Sequence, residues 1–542
     1  MSITGTRRAF VGGLLSSVAG AALAEAPLAS LRPRARTVVT PVSSAPDVSP
    51  IPRIAPRVRA TLEQLIAAAD LDGTVGCVLA DASTGEILEA VDGEVSLPPA
   101  SVTKAVSALY ALDTLGGAFR FVTRVFAVGA INDGILDGDL ILAGGGDPTL
   151  SADHLADLAV ALKDVGVVRV TGRLLCWRGA LPYAEEIEPS QLDHLGYNPA
   201  VSGLNLNYNR VHFEWRRVNG TWQTTMDART DERVPRVSMA RVRIVDRGSP
   251  VFATDAPDSW SVARSALGNG GSRWMPVRQP ALYAGDVFQT LARDVGITLP
   301  APEVVDDLPE GRMELVQHAS PTLRTILQEM LLYSTNLTAE ICGLAATEAK
   351  FRTSLEIENS AAQMTRWVGE TYGVECDFKD HSGLSDENRI SASAMAKLLL
   401  AVYGDDDLRP IMRRIAMRDA DNNRIENYPI EVRAKTGTLN FVSSLAGYVE
   451  TSDGSDVVFA IFAADLERRA RGKAAGDEVP AGSIEWNRRA KRLQQVLLQR
   501  WGLTSRDDGP FSQGIDIDAQ IDEAQLNDAP RGGVSLDALV SD

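Results

Sequence analysis

The stretch PPASVTKAVSALYAL, residues 98–112, places a serine and a lysine three positions apart at the start of a helical pattern. About one helical turn separates Ser101 from Lys104, so we expect the hydroxyl and the amine on the same face. A neutral amine within hydrogen-bond distance can remove the proton of a serine and make it a nucleophile. An isolated S-x-x-K pattern more often marks a helix N-cap followed by a solvated lysine. Both interpretations are open at this point.

The lysine content of the chain favours the first interpretation. The sequence contains eight lysines, and of these Lys104 alone follows a serine by three positions. Pro98 and Pro99 precede the motif and restrict how the chain enters the helix. Ser101 is therefore the candidate nucleophile, and Lys104 is its candidate base.

Two more short patterns follow much later in the chain. In LLYSTNLTAE, Ser334 and Asn336 stand at a break in a helical pattern and can direct a hydroxyl and an amide into one cleft. In KTGT, residues 435–438, a lysine and two hydroxyls at a strand edge can hold a carboxylate, and the glycine lets a ligand approach the backbone. Taken singly, S-x-N is commonly a local cap or turn, and K-T-G is commonly a strand that begins after a turn.

The three motifs together, in this order, resemble the S-x-x-K, S-x-N and K-T-G set of the penicillin-recognising serine acyltransferases. The separation of 233 positions between Ser101 and Ser334 is too long for a class A β-lactamase. This long insert resembles the class C low-molecular-mass penicillin-binding proteins, the D-alanyl-D-alanine carboxypeptidase/endopeptidase family. Three further stretches are similar to that family: LILAGGGDPTL (140–150), YNPAVSGLNLNYN (197–209) and DHSGLSDENRIS (380–391). In the last stretch, Asp386 departs from the family's usual residue.

The resemblance covers residues 58–504 and implies an α/β fold. The implied body is a penicillin-binding/β-lactamase-like transpeptidase domain, an antiparallel sheet with flanking helices, interrupted by a mostly β two-domain insert. The expected segments are an export signal (1–24), a Pro/Ser-rich linker (25–57), the first part of the acyltransferase domain (58–120), the inserted domains (121–316, with an inner insert at about 146–216), the second part of the acyltransferase domain (317–504) and an acidic, disordered tail (505–542).

The resemblance also implies a mechanism through a serine acyl-enzyme. Ser101 would attack the carbonyl between the two terminal D-alanines of a cell-wall peptide, with Lys104 as general base. Ser334 would relay a proton to the departing amine, and Asn336 would orient the acyl peptide. The backbone N–H groups of Ser101 and Thr438 would form the oxyanion hole. The carboxylate of the substrate or of penicillin would be bound by the third motif: Lys435, Thr436, Gly437 and Thr438.

The expected function is thus a serine-type D-alanyl-D-alanine carboxypeptidase that penicillin acylates, with endopeptidase activity as an open alternative. A β-lactamase-like hydrolase would share the motifs, and so would a non-catalytic periplasmic binding protein that retains the fold. The five histidines are scattered and include no H-E-x-x-H, so we expect no metal and no cofactor. A formal net charge of −17 disfavours a nucleic-acid partner.

The first 24 residues combine an arginine pair, an apolar run and an A-x-A pattern at 22–24, which predicts export to the periplasm. TRRAFV, residues 6–11, is typical of a twin-arginine signal, although a general secretory signal can also contain two arginines. The apolar run is too short to favour a spanning helix, so we expect no transmembrane helix in the mature chain. From Ser505 to Asp542, nine acidic residues stand against two arginines, which is typical of a disordered tail.

The pattern of apolar residues along the chain predicts its helices and strands. Helices are expected at 58–71, 152–166, 321–349, 391–405 (capped by Ser391) and 483–501. Strands are expected at 74–82 and 86–91, as short strands over 121–142 with turns at 132–134 and 137–138, and as two long strands over 432–465 with a turn at 452–454. The four cysteines show no C-x-x-C spacing, so we expect free, buried thiols.

Overall fold

The computed structural model of the chain describes residues 60–419 and 422–503. The expected export signal, linker and acidic tail lie outside these residues. The helices are α1 (Leu62–Ala68), α2 (Thr103–Leu115), α3 (Ala152–Asp164), α4 (Pro280–Asp294), α5 (Leu323–Tyr333), α6 (Asn336–Phe351), α7 (Ile357–Tyr372), α8 (Ala392–Ala401), α9 (Leu466–Ala475) and α10 (Ser483–Gly502).

The strands divide between the body of the protein and its insert. They are β1 (Thr74–Asp81), β2 (Ile87–Val91), β3 (Ser96–Leu97), β4 (Val122–Asn132), β5 (Ile135–Ala143), β6 (Arg169–Val170), β7 (Leu174–Trp177), β8 (Arg210–Val218), β9 (Thr221–Asp227), β10 (Arg241–Val245), β11 (Phe252–Ala256), β12 (Ser259–Ala263), β13 (Gly270–Pro276), β14 (Pro302–Val305), β15 (Met313–Ala319), β16 (Cys376–Asp377), β17 (Arg389–Ser391), β18 (Arg413–Ile415), β19 (Glu431–Leu439), β20 (Val442–Glu450) and β21 (Asp456–Ala464).

The central sheet of the body is antiparallel, with the strand order β18-β19-β20-β21-β1-β2. Because side chains alternate between the faces of a strand, each face of this sheet presents its own set of apolar residues. One face packs against α2 and α5 to α8, and the other packs against α1 and α10. An antiparallel sheet between two layers of helices confirms the predicted fold class.

The insert forms its own sheets from strands between residues 122 and 319. The largest sheet has the order β14-β7-β5-β4-β15, with β6 paired to β5. Two three-stranded sheets have the orders β13-β8-β9 and β10-β12-β11. These sheets share one apolar core with α3 and α4, distinct from the cores on either side of the central sheet. The boundaries expected for the two inserted domains stay predictions.

Several expected helices form with adjusted ends. The first begins only at Leu62, where Thr61 caps it. The pattern over 321–349 forms α5 and α6, which are separated at Ser334 because that residue adopts a left-handed conformation with φ 59°. Ser391 caps α8 as predicted, and its hydroxyl accepts from Ala394 N at 3.0 Å. The break at Ser334 matters most, since it lies in the second motif.

Two expectations about turns are wrong. The strand expected to run unbroken from 432 to the turn at 452–454 is two strands, β19 and β20, joined at Asn440 and Phe441. Phe441 adopts φ 59° there and buries its ring beside Trp486, so tertiary packing overrides a local sequence that lacks a glycine turn signal. Asp137 and Gly138 form no turn but lie inside β5, where a Cβ on Gly138 would come 1.9 Å from Val128 O.

The state of the cysteines and the length of the helices can also be compared with what the sequence predicts. All four cysteines are free; Cys77, Cys176 and Cys342 are buried, and Cys376 is partly buried. Within residues 60–419 and 422–503, no helix has the length and apolar character that would let it cross a membrane.

Candidate active site

The candidate nucleophile lies in a short 3₁₀ turn, Ala100–Val102, directly before α2. The N-cap position of α2 is occupied by Val102, whose side chain has no acceptor, so the helix-cap interpretation of Ser101 is wrong. The preceding residue, Ala100, adopts φ 46°, a conformation that is unfavourable for any residue other than glycine. The fold therefore holds the Ser101 backbone in a turn that the helix itself does not require.

Two glycines allow neighbouring backbone to reach this turn. A Cβ on Gly437 of β19 would lie 2.6 Å from Pro99 O and 3.0 Å from Ser101 N. Gly383 has φ 78°, and a Cβ there would lie 1.8 Å from Ala100 O. Only glycine fits at either position, which explains why the K-T-G motif carries one.

Lys104 is the centre of the site. Its Nζ lies 2.9 Å from Ser101 Oγ, 2.7 Å from Asn336 Oδ1 and 2.6 Å from Ser382 O. The side chain is 0% exposed, so the solvated-lysine interpretation is also wrong. Desolvation lowers the pKa of Lys104 to about 7, against the opposing charges of Asp380 and Glu340.

The second motif, S-T-N, places Ser334 beside Lys435 and Asn336 beside Lys104. Ser334 Oγ accepts a hydrogen bond from Lys435 Nζ at 2.9 Å. Asn336, the first residue of α6, directs Oδ1 at Lys104 and donates from Nδ2 to Tyr197 O at 2.9 Å. Since the amide nitrogen has an acceptor and the amide oxygen has a donor, these two contacts define the orientation of the Asn336 side chain.

Lys435 is buried like Lys104, with 1% of its surface exposed. Desolvation, followed by the charges of Lys104 and Arg413, lowers its pKa well below the usual value. Thr436 and Thr438 lie two positions apart on the same side of β19 and are half-buried. Strand β18 pairs with β19 only through residues 432–434, so the KTGT segment lies beyond that pairing.

The structure thus brings the candidate residues of all three motifs together. Hydrogen bonds form two groups, one around Lys104 and one around Lys435, and Gly437 lies against the Ser101 turn. Thr436 and Thr438 extend from the same strand as Lys435. The first group contains Ser101, Lys104 and Asn336, and the second contains Ser334 and Lys435.

Four polar groups at this site were not predicted from the sequence. Two are the buried carboxylates of Glu340 and Asp380, and two are the backbone carbonyls of Ser382 and Tyr197. Glu340 follows Asn336 by four positions on α6, which is a helical same-face spacing. The other three lie in the stretches 197–209 and 380–391, where the family resemblance marked the region but not the role.

A family profile described as the D-Ala-D-Ala carboxypeptidase 3 (S13) family matches residues 58–481. The chain belongs to the S13 family. The D-alanyl-D-alanine carboxypeptidase of Actinomadura sp. (strain R39) is 27% identical over 456 residues, which cover 72% of this chain and 78% of that protein. D-alanyl-D-alanine carboxypeptidase DacB of Haemophilus influenzae is 22% identical over 415 residues, which cover 72% and 85%.

The fold of the S13 chain also matches a solved structure. Penicillin binding protein 4 (dacB) from Haemophilus influenzae superposes with a TM-score of 0.66 at 19% sequence identity, covering 81% of this chain and 100% of that chain. S13 membership confirms the expected class, a low-molecular-mass penicillin-binding protein. The enzyme is a D-alanyl-D-alanine carboxypeptidase of the S13 family.

Asp386, in the stretch 380–391, forms ion pairs with a neighbouring helix. Its carboxylate lies 2.7 Å from Arg469 Nε and 2.7 Å from Lys473 Nζ, both on α9. Burial acts to raise the pKa of Asp386, but the two cations outweigh it and the pKa lies below its usual value. The residue therefore connects the 380–391 stretch to α9.

The insert of this S13 enzyme is connected to the body beside the site. Glu478 accepts from Arg273 at 2.7 Å and lies 3.0 Å from His194 Nε2. The backbone carbonyl of Glu478 accepts from Asn440 Nδ2 at 3.0 Å, directly after the KTGT strand. His194 precedes Tyr197 by three positions, so these contacts connect the strand that carries KTGT to the loop that holds Asn336.

Proposed function

We propose that this S13 enzyme cleaves peptides ending in D-Ala-D-Ala through an acyl-enzyme on Ser101, with Lys104 as general base. The single observation that carries the proposal is the contact of 2.9 Å between Ser101 Oγ and the fully buried Lys104 Nζ. A lysine has an ordinary pKa of about 10.4 and is charged at neutral pH. Burial lowers the pKa of Lys104 to about 7, so a large fraction of the amine is neutral and can accept a proton.

The contacts around Lys104 orient its lone pair. A neutral amine has two N–H donors and one lone pair. Asn336 Oδ1 and Ser382 O can only accept, so each takes one N–H. The lone pair is left for the hydroxyl proton of Ser101. This arrangement supports the assignment of Lys104 as the base, because it prepares the amine to receive a proton from Ser101 before substrate binds.

The proposed reaction has two steps. The Ser101 oxygen attacks the carbonyl between the terminal D-alanines while its proton passes to Lys104, and the oxyanion is stabilised by the N–H groups of Ser101 and Thr438. One such donor contributes about 3 kcal/mol to transition-state stabilisation. Ser334 then relays the proton from Lys104 to the departing amine as the C–N bond breaks, which leaves Lys104 neutral again. Water finally adds to the ester and gives a proton to Lys104, which returns it to Ser101 Oγ as the ester C–O bond breaks.

Lys435 is proposed to bind the terminal carboxylate, together with Thr436 and Thr438, while Gly437 leaves room at the strand. A carboxylate placed beside Lys435 favours its charged form. The charge of Lys104 contributes to the lowered pKa of Lys435, because two buried cations repel each other. A carboxylate bound at Lys435 therefore favours the arrangement in which Lys435 is charged and Lys104 is neutral and basic.

The acylation rate of the enzyme should depend on pH. Since the base must be neutral, the rate constant for acylation by penicillin should rise with pH and reach half of its plateau near pH 7, the value to which burial lowers the pKa of Lys104. A solvated lysine would place that midpoint above pH 10. Stopped-flow acylation from pH 5 to 9 measures the midpoint, and a rate that does not change over this range would contradict the assignment.

The function itself is tested by release of free D-alanine from a purified uncross-linked peptide ending in D-Ala-D-Ala. We expect the wild-type enzyme to release D-alanine and Ser101→Ala to release none. Equal release by both proteins excludes Ser101 as the nucleophile.

Cleavage of cross-linked cell-wall fragments then distinguishes an endopeptidase from a carboxypeptidase. A penicillin adduct that persists for many minutes supports a penicillin-binding protein, whereas rapid turnover favours the β-lactamase alternative.

We further propose that the chain is exported to the periplasm through the arginine pair, Arg7 and Arg8, and the apolar run after it. Peptidoglycan lies outside the cytoplasm, so an enzyme that acts on it has to be exported. Cell fractionation tests this proposal. Replacing both arginines with lysine should retain the protein in the cytoplasm if the signal is of the twin-arginine type.

A further inference from the structure

One of the two carbonyls that orient Lys104 depends on a buried carboxylate for its position. Ser382 O lies 2.6 Å from Lys104 Nζ. The N–H groups of His381 and Ser382 donate to the two oxygens of Glu340, at 3.1 and 2.8 Å. Because these N–H groups precede the Ser382 carbonyl in the chain, Glu340 holds the backbone that carries it.

The same loop is held from within by a second carboxylate. Asp380 accepts from Gly383 N and Ser385 N, both at 2.6 Å, and from Asn388 Nδ2 at 3.0 Å. Asp380 is 1% exposed and Glu340 is 0% exposed. Burial raises the pKa of both carboxyls. The hydrogen bonds to backbone N–H groups and to Asn388 offset part of the cost of burying these two carboxyls.

The position of Glu340 on α6 gives it a defined relation to the site. It follows Asn336 by about one helical turn, so both side chains lie on one face of the helix. Asn336 accepts from Lys104 directly, and Glu340 acts through the Ser382 peptide. One helix face therefore positions both carbonyl acceptors of the amine.

Two acceptor oxygens are needed at this position. Each Glu340 oxygen faces a different backbone N–H. A glutamine has one acceptor and one donor, so its amide nitrogen would face one of these N–H groups and repel it. The residue type is therefore determined by the loop, although the amide and the carboxylate have nearly the same shape.

We propose that Glu340 is a positioning residue for the general base: it fixes the backbone of His381 and Ser382, and thereby Ser382 O, so that the Lys104 lone pair points at Ser101. This inference rests on the proposed function, in which Lys104 takes the Ser101 proton. Misorientation of a base by about 1 Å costs up to about 10²-fold in rate. Glu340→Gln should therefore slow acylation without weakening the non-covalent binding of penicillin.

The test measures three quantities for each variant: the acylation rate constant at saturating penicillin, the dissociation constant of the non-covalent complex, and the moles of penicillin bound per mole of chain. For Glu340→Gln we expect a rate constant lower by about 10- to 100-fold, with the dissociation constant and the stoichiometry unchanged.

Asp286→Asn is the matched control. Asp286 is a buried carboxylate of the insert that accepts from Ser238 N at 2.7 Å and Met239 N at 3.2 Å. The Asp286→Asn variant should keep the wild-type rate constant for acylation even if the substitution lowers the melting temperature.

The positioning role is overturned if Glu340→Gln keeps the wild-type rate constant, or if it only lowers the amount of penicillin bound. If that variant does not fold, Glu340→Asp replaces it. It keeps both oxygens but is one methylene shorter, so a reduced rate constant at unchanged stoichiometry is expected, and a wild-type rate constant overturns the role. The proposed function fails separately, if wild-type enzyme is not acylated at Ser101.

Discussion

Lys104→Met is expected to lower the rate constant for acylation of Ser101 by about 10²- to 10⁴-fold, the usual contribution of a general base. Methionine has a similar length and no charge, so it fills the buried site of Lys104 but cannot accept the Ser101 proton. The non-covalent affinity for penicillin should change much less, because Lys435 and the threonines of β19 remain. Rapid-mixing acylation at several penicillin concentrations separates the two quantities.

A control for that substitution is Lys397→Met. Lys397 lies on the surface of α8 and donates to Gly373 O at 2.7 Å, away from the three motifs. It should acylate at the wild-type rate. A Lys104→Met enzyme that acylates within about threefold of this control would contradict the assignment of the base, since a base contributes far more than that.

Gly437→Ala is expected to slow acylation by about 10²-fold or more, although it adds one methyl group. Its Cβ would lie 2.6 Å from Pro99 O and 3.0 Å from Ser101 N, and both neighbours are backbone. Strand β19 and the Ser101 turn would have to separate. A displacement of about 1 Å at the reacting groups costs on the order of 10²-fold in rate.

Gly404→Ala provides the comparison, because Gly404 follows α8 and has open space where a Cβ would lie. Both variants should fold, as judged by circular dichroism and melting temperature, and only Gly437→Ala should acylate slowly. Equal acylation rates for the two variants would show that the close approach of β19 to Ser101 is unimportant for catalysis.

The convergence of the three motifs could be predicted from sequence because each one combines residue types whose chemistry is complementary. A serine and a lysine one turn apart, and a lysine with hydroxyls beside a glycine, are informative even without coordinates. The mechanism predicts desolvation of Lys104, because its amine has to be neutral, but the extent of the burial of both lysines could not be predicted. Lys104 and Lys435 carry the most hydrophilic of side chains, and only the tertiary structure shows that both are withdrawn from water.

The supporting groups could not be predicted for a different reason. Glu340 bonds to the N–H groups of His381 and Ser382, which lie more than forty positions away in the chain. Backbone groups carry no sequence signal, so a glutamate at this point of α6 reads as an ordinary exposed helix residue. Tyr197 contributes its carbonyl, and for the same reason its residue type does not indicate that role.

The turns show the limit of local patterns. At Asn440 and Phe441 the chain reverses without a glycine, because burial of the Phe441 ring against Trp486 stabilises a left-handed residue. At Gly138 a glycine in a typical turn sequence serves the close pairing of β4 and β5 instead. In both cases the contact that decides the backbone conformation is distant in sequence.

The most direct test of the central claim is to locate the covalent adduct of penicillin by intact-protein and peptide mass spectrometry. We expect one penicillin per chain, on the peptide that contains Ser101, and none on Ser101→Ala. Ser96→Ala, an exposed serine of β3, should label like the wild type. Labelling of Ser101→Ala to the same extent as wild type, or an adduct on any other residue, would contradict the account.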